Sequence, residues 1–233
     1  MITRRAAAIF CREFSQHGLR RGVIIRLLPV GSVLAPVEAR AVEILAINDW
    51  VKQLALIPEK EFTIPRVLDF AVRKQIQVDS LEPYLFYAKS HYTRNLIFKC
   101  ELFEVMSLCW EPGQVSRIHN HRGQNCWMAT PIGRLHVQNF RVENRDALHA
   151  TCKLVPSDSY EMDALHPAVV QPDEPVHQVQ NLKEFGARAT SIHIYSYPYS
   201  TCEVYLADKG SYADVPLHYS SEYGELSPDE KLI

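Results

Sequence analysis

From Val37 onward, apolar residues recur at spacings of three and four: "PVEARAVEILAINDWVKQL" carries Val42 and Leu45 three apart and Ile47 and Val51 four apart, after a proline. That period predicts an amphipathic helix beginning near residue 37. "TIPRVLDFAVRKQI" repeats the signal, with Thr63 placed as an N-cap and Pro65 near the first helical position, where its missing N–H costs nothing. Two or three helices are therefore expected before residue 92. Beyond it the texture changes, because "FEVMSLCW", "GRLHVQNF", "HQVQNL" and "TSIHIYSY" are short runs of β-branched and aromatic residues separated by Gly, Pro and Asn. Many short strands with no helical stretch between them predict antiparallel β structure, as a sandwich, jelly roll or barrel rather than a βαβ fold.

Composition narrows the functional classes. A chain of 233 residues with 47% hydrophobic content is long enough for one full core, so a single domain is expected over 37–233, with helices in 37–91 and a β-barrel in 92–233. A formal net charge of -2 gives no reason to expect nucleic acid or an anionic membrane as partner, and leaves small molecules as the default. No apolar run approaches the roughly 18 to 20 residues of a membrane span. The six cysteines, Cys11, Cys100, Cys109, Cys126, Cys152 and Cys202, form no CxxC pair, which fits a reducing, cytoplasmic setting. Residues 1–36 differ from the rest: Arg4, Arg5, Arg12, Arg20, Arg21 and Arg26 face one acid, Glu13. They read as a basic arm or extension, with organelle targeting as the alternative. The protein is expected to act as a monomer.

Candidate chemistry lies in the β region. On a strand, residues two apart share a face, so His119 and His121 in "RIHNH" present two imidazoles side by side. His177, in "PVHQVQN", offers a third from another strand. Three neutral imidazoles suit Fe, Zn, Cu or Ni and leave coordination positions open. Taken singly, each histidine fits an ordinary strand or loop residue better than a ligand. "TSIHIYSYPYSTC" places Ser191, His193 and Tyr195 on one strand face, where the imidazole can hydrogen-bond both neighbours and hold the phenol toward a cavity. Arg94, in "HYTRNL", supplies a planar guanidinium for two-point carboxylate binding.

The spacing of these residues carries a family resemblance. Gly113, five residues, His119-x-His121, four residues, Cys126, six residues and Gly133 resemble the first cupin motif, with Cys126 where most cupins have a glutamate ligand. Pro172, Pro175, His177 and Asn181 resemble the second, with Glu174 where that motif has glycine. The implied fold is mainly β: a cupin double-stranded β-helix, a small jelly-roll barrel whose mouth holds the metal. Together with "YTRNL", the S-x-H-x-Y series and Cys126 beside Trp127, the chain resembles the thiol dioxygenases, and the cysteine dioxygenase family closely, from about Tyr92 to "LHYSSEYG".

The resemblance implies that His119, His121 and His177 bind Fe(2+), that Arg94 and Tyr92 hold the substrate carboxylate, and that Ser191, His193 and Tyr195 form the family's catalytic series. It also implies a possible thioether crosslink between Cys126 and Tyr195, the eukaryotic-type feature, and places Trp110 and Cys202 at or beside the site. The implied reaction is S-oxygenation of L-cysteine by O2 to cysteine sulfinic acid, with no organic cofactor. Eukaryotic-type members have Ser-Pro-Pro after the tyrosine, with a cis bond at the first proline; here the run is Ser196-Tyr197-Pro198. A cis bond before a non-proline residue costs about 2.5 to 4 kcal/mol, so a trans peptide is expected, with Tyr197 reshaping the pocket wall. Asn125 replaces a frequent histidine, and Arg122 is expected to add positive charge near the mouth. Two alternatives to L-cysteine oxidation stand: a related enzyme acting on 3-mercaptopropionate or another thiol carboxylate, and a non-catalytic metal- or ligand-binding cupin.

Overall fold

A computed structural model describes residues 42–170 and 176–228; the basic N-terminal arm and the Pro172–Glu174–Pro175 part of the second motif lie outside the described residues. The described chain begins with β1 (Glu43–Leu45), α1 (Ile47–Ala55), α2 (Ile64–Arg73) and β2 (Lys74–Ile76). Then come β3 (Thr93–Lys99), β4 (Phe103–Trp110), β5 (Ile118–His119), β6 (Cys126–Ile132), β7 (Leu135–Asp146), β8 (Thr151–Met162), β9 (Ala168–Val170) and β10 (Val176–Gln180). The last are β11 (Ala189–Ser196), β12 (Thr201–Leu206), β13 (Ser211–Pro216), β14 (Ser221–Glu222) and β15 (Glu225–Leu226).

The helix expected from residue 37 begins only at Ile47. Glu43–Leu45 instead pair in parallel with Lys74–Ile76, and Val42 and Ile44 point to solvent. Apolar residues at helical spacing do not make a helix where a strand ladder takes the same backbone donors. From Ile47 the period is real: Ile47, Trp50, Val51 and Leu54 are buried along one stripe of α1. Thr63 is the N-cap of α2 by position, without a side-chain cap bond, and Pro65 stands in its first turn.

The β region forms a closed barrel in the order β10-β5-β12-β13-β8-β7 and a seven-stranded sheet in the order β15-β14-β3-β4-β11-β6-β9. The strands are paired almost throughout in antiparallel register, and this strand-rich barrel and sheet agree with the expected cupin double-stranded β-helix. The central strands β4 and β11 are buried along their entire length because both faces of the sheet are covered. On one face, Phe103, Val105, Ile192 and Ile194 pack with Trp50, Leu54 and Phe70 of the helices. On the other, Met106, Leu108, Trp110 and Tyr195 face the barrel interior with Cys126, Met128 and Val137. The two-residue period of β11 thus sends isoleucines to the helices and Ser191, His193 and Tyr195 inward. Gly133 turns β6 into β7 at φ +72°, where a Cβ would stand 2.5 Å from the Arg188 carbonyl oxygen. Among the described residues no helix is long and apolar enough to cross a membrane.

Candidate metal centre

β5 and β10 pair antiparallel with His119 directly opposite His177, which brings two imidazoles from distant parts of the chain onto one face. His121 lies beyond β5, in a turn closed by the Gln124 N–H donating to the His121 carbonyl at 2.9 Å. The expectation that both histidines ride one strand therefore needs correction: the third ring arrives from a turn. The rings converge all the same, with centroids 4.7 Å apart for His119 and His177, 4.8 Å for His121 and His177, and 5.3 Å for His119 and His121. One ligand nitrogen from each lies within 4.8 Å of the others.

The nitrogens of this cluster are unsatisfied in a way that suits a metal. Neither ring nitrogen of His121 or His177 has a hydrogen-bond partner, although both residues are buried. An unpaired buried polar atom costs about 1 to 3 kcal/mol, a cost a bound cation would remove. His119 Nδ1 meets the Arg117 carbonyl at 2.8 Å; as donor there it leaves Nε2 with its lone pair for a ligand role. Burial pulls the His119 pKa down to about 4 and holds His121 and His177 well below the usual histidine range, with the neighbouring imidazoles adding to it. At neutral pH all three rings are uncharged and ready to coordinate.

Beside the cluster runs a hydrogen-bonded series on β11 and β4. Trp110 Nε1 donates to Ser191 Oγ at 3.2 Å, Ser191 Oγ meets His193 Nε2 at 2.9 Å, and His193 Nδ1 meets the Tyr195 hydroxyl at 3.0 Å. Burial drives His193 down to about 3 and Tyr195 well above the usual phenol range, so both are neutral. A neutral imidazole donates from one nitrogen only. When Ser191 donates to Nε2, Nδ1 donates to the Tyr195 oxygen, and the phenolic proton is left for the cavity. Cys126 is the cross-strand partner of Tyr195 between β6 and β11, and its Sγ lies 3.7 Å from the same His193 Nδ1. Burial pushes the Cys126 thiol up, and the nearby phenol only partly offsets this.

Of these groups, His119, His193, Tyr195 and Trp110 line a cavity of about 570 Å³, together with Tyr92, Arg94 and Tyr199 among others. Tyr92 stacks on Trp110 with ring centroids 4.3 Å apart. Arg94 reaches in from β3; its Nη1 donates to the His218 carbonyl at 3.3 Å, and its Nη2 lies 3.6 Å from Met106 Sδ. Both contacts are long, so the guanidinium keeps donors for another acceptor. A second hollow of about 600 Å³, at the helices, holds Glu43, Asp69, Arg73 and Lys74 but no histidine or cysteine.

Two placements differ from the sequence reading. Arg122 adds no charge to the cavity: its guanidinium pairs with Asp214 and lies 3.8 Å from Glu203. Tyr197 does not form the cavity wall either; it takes φ +56°, is half exposed, and its hydroxyl donates to Glu59 at 3.2 Å. No cis peptide occurs among the described residues, as expected for Ser196-Tyr197. The wall residue is Tyr199, whose ring lies 5.2 Å from Tyr195 and 6.4 Å from His121. Its place was not legible in the sequence, because it follows the end of β11 at Ser196, in a loop where strand alternation does not apply.

Comparison with known proteins agrees with this geometry. The family model described as cysteine dioxygenase type I matches residues 41–208. Cysteine dioxygenase type 1 of Danio rerio is 30% identical over 143 residues, covering 61% of this chain and 69% of that protein. The Homo sapiens protein of the same name is 26% identical over 163 residues, covering 68% and 78%. Among solved structures, a Klebsiella pneumoniae protein with a double-stranded β-helix domain is 13% identical, with a TM-score of 0.38 over 58% of this chain and 87% of that one. A match over well over half its length, running through all three histidines, Arg94 and Tyr195, makes this chain a member of the cysteine dioxygenase type I family.

Proposed function

We propose that the protein is an iron-dependent dioxygenase that converts L-cysteine and O2 to cysteine sulfinic acid. The observation that carries this reading is the set of three neutral, convergent imidazoles, two of them with both nitrogens unpartnered and the third, His119, lining a cavity that also receives an arginine. His119, His121 and His177 hold the iron through neutral ligands, which leaves its full positive charge to favour thiolate over thiol. When bound, Fe(2+) supplies the redox and Lewis-acid chemistry that lets a thiolate react with O2. The reaction balances without a further reductant: the thiol sulfur gains both oxygen atoms, and the substrate provides the electrons.

The chain's own residues bind and orient. Arg94 takes the substrate carboxylate in two-point fashion, with the Tyr92 hydroxyl beside it. This fixes the thiol end at the histidines and converts an encounter into an oriented complex. The stacked rings of Tyr92 and Trp110, with Leu108 and Val179, keep that end of the cavity apolar. Tyr195, oriented by His193 and Ser191, donates its proton into the cavity as a hydrogen bond to the charge that develops on oxygen. Cys126 and Tyr195 are the pair for a thioether: a C–S bond forms, the thiol and ring hydrogens are lost, and O2 serves as the oxidant.

The test is oxygen uptake by the iron-loaded protein with L-cysteine, 3-mercaptopropionate and cysteamine, with the product identified by mass. Cysteine sulfinate formation and its loss in His177→Ala are the expected results. Preference for 3-mercaptopropionate would move the substrate assignment to that thiol acid, and no uptake with any thiol would leave a binding cupin instead.

A further inference from the structure

His121 stands outside β5, so the strand ladder alone does not hold it, and the connection from His119 to His121 runs through Asn120. Asn120 is tied to Glu203 of β12 three times over. Its Nδ2 donates to Glu203 Oε2 at 2.7 Å, its backbone N–H donates to the Glu203 carbonyl at 3.2 Å, and its Oδ1 accepts from the Glu203 N–H at 3.2 Å. Asn120 Oδ1 also accepts from the Arg122 N–H at 3.3 Å, which bends the chain just after the second histidine.

Glu203 is in turn fixed from the other side. On β12, Cys202 and Val204 line the cavity, and the two-residue period turns Glu203 away from it. There Arg145, at the end of β7, grips the carboxylate at two points, Nη1 to Oε2 at 3.1 Å and Nη2 to Oε1 at 2.5 Å. The Tyr205 hydroxyl donates to Oε2 at 2.8 Å and accepts from Arg145 Nη1 at 3.0 Å. The Arg145 guanidinium lies 4.1 Å from the centre of the Tyr212 ring, and Arg122 bridges Glu203 and Asp214. Two arginines and two carboxylates balance, and Glu203 is only 8% exposed, so its geometry is narrowly set.

We infer that Glu203 is a positioning residue for the metal centre: braced by Arg145, it holds Asn120 and thereby fixes the backbone between His119 and His121. This rests on the reading of the three histidines as metal ligands. Groups that orient ligands from behind typically change metal affinity about 10- to 100-fold when removed. A charge cluster that only stabilised the β12–β13 pair would change unfolding and leave affinity alone.

The experiment is Co(II) titration of the metal-free protein, with thermal unfolding of the metal-free form alongside. Asn120→Ala and Glu203→Gln are compared with wild type, their double variant and His177→Ala. Each single variant is expected to weaken Co(II) binding about 10- to 100-fold, with the double variant no weaker than the worse single one, since both cut one connection. Asn120→Ala leaves the Arg145–Glu203 pair whole, so it retains a readable fold even where Glu203→Gln does not. Unchanged affinity in Asn120→Ala, with binding lost in His177→Ala, would overturn the inference and leave the metal site intact. Wild-type binding by His177→Ala would instead refute the site.

Discussion

Replacing Arg94 by Gln tests the substrate end of the cavity. Among the described residues the Arg94 guanidinium makes two long polar contacts, at 3.3 Å to the His218 carbonyl and 3.6 Å to Met106 Sδ, and lies 5.8 Å from the centre of the Tyr219 ring, so Arg94→Gln leaves few native bonds unmade. What it removes is a charged two-point partner for a carboxylate in a half-buried setting. Hydrogen bonds to charged groups contribute about 1.5 to 3 kcal/mol, and Gln restores at most one neutral donor. A net loss of about 2 to 3 kcal/mol corresponds to a fall of roughly 30- to 150-fold in kcat/KM, at about 1.4 kcal/mol per factor of ten. Cysteamine, which has thiol and amine but no carboxylate, should lose less than about threefold. Oxygen-uptake kinetics with both thiols at matched iron loading measure the contrast. Equal losses on the two substrates would refute the clamp and place Arg94 in the framework of the cavity.

Other consequences follow from burial and backbone geometry. His119 and His193, held at about 4 and about 3 against an ordinary 6.5, make the unfolded chain the better proton binder below pH 6.5. Their contribution to stability is thus present above about pH 6.5 and is lost as pH falls toward those values; Tm of the metal-free protein should drop over that range, less steeply in His193→Gln. An identical slope in the variant would count against it. Cys126→Ser should show intact mass without the two-hydrogen deficit, and slower gel migration than wild type incubated with iron and thiol; identical behaviour of the two would exclude the crosslink. Gly133→Ala places a Cβ 2.5 Å from a backbone carbonyl at φ +72°, and a loss of about 1 to 3 kcal/mol is expected in urea unfolding, with a wild-type midpoint as the refuting result.

The strands were legible where one segment carried its own pattern. "FEVMSLCW" is β4 residue for residue, and "TSIHIYSY" lies within β11 except for its last residue, Tyr197. Period two likewise put Ser191, His193 and Tyr195 on one inward face, as their hydrogen bonds bear out. The pattern misled at Glu43–Leu45, where pairing with Lys74–Ile76 thirty residues away outweighed helical spacing. Arg122 was misplaced for a similar reason: its carboxylate partners, Glu203 and Asp214, come from strands some eighty to ninety residues further on. Tyr199 escaped because it lies past the end of β11, in a loop where strand alternation no longer assigns a face.

The sequence by itself determined the ligand types, the two helical stripes and the alternation that points side chains inward, since these depend on residues within a turn or a pleat of one another. The tertiary structure alone decided that His119 faces His177 across two strands, that His121 joins them from a turn, and that Glu203 reaches behind that turn. Those outcomes depend on register between segments about sixty to eighty residues apart, where a one-residue slip would send each histidine to the opposite face.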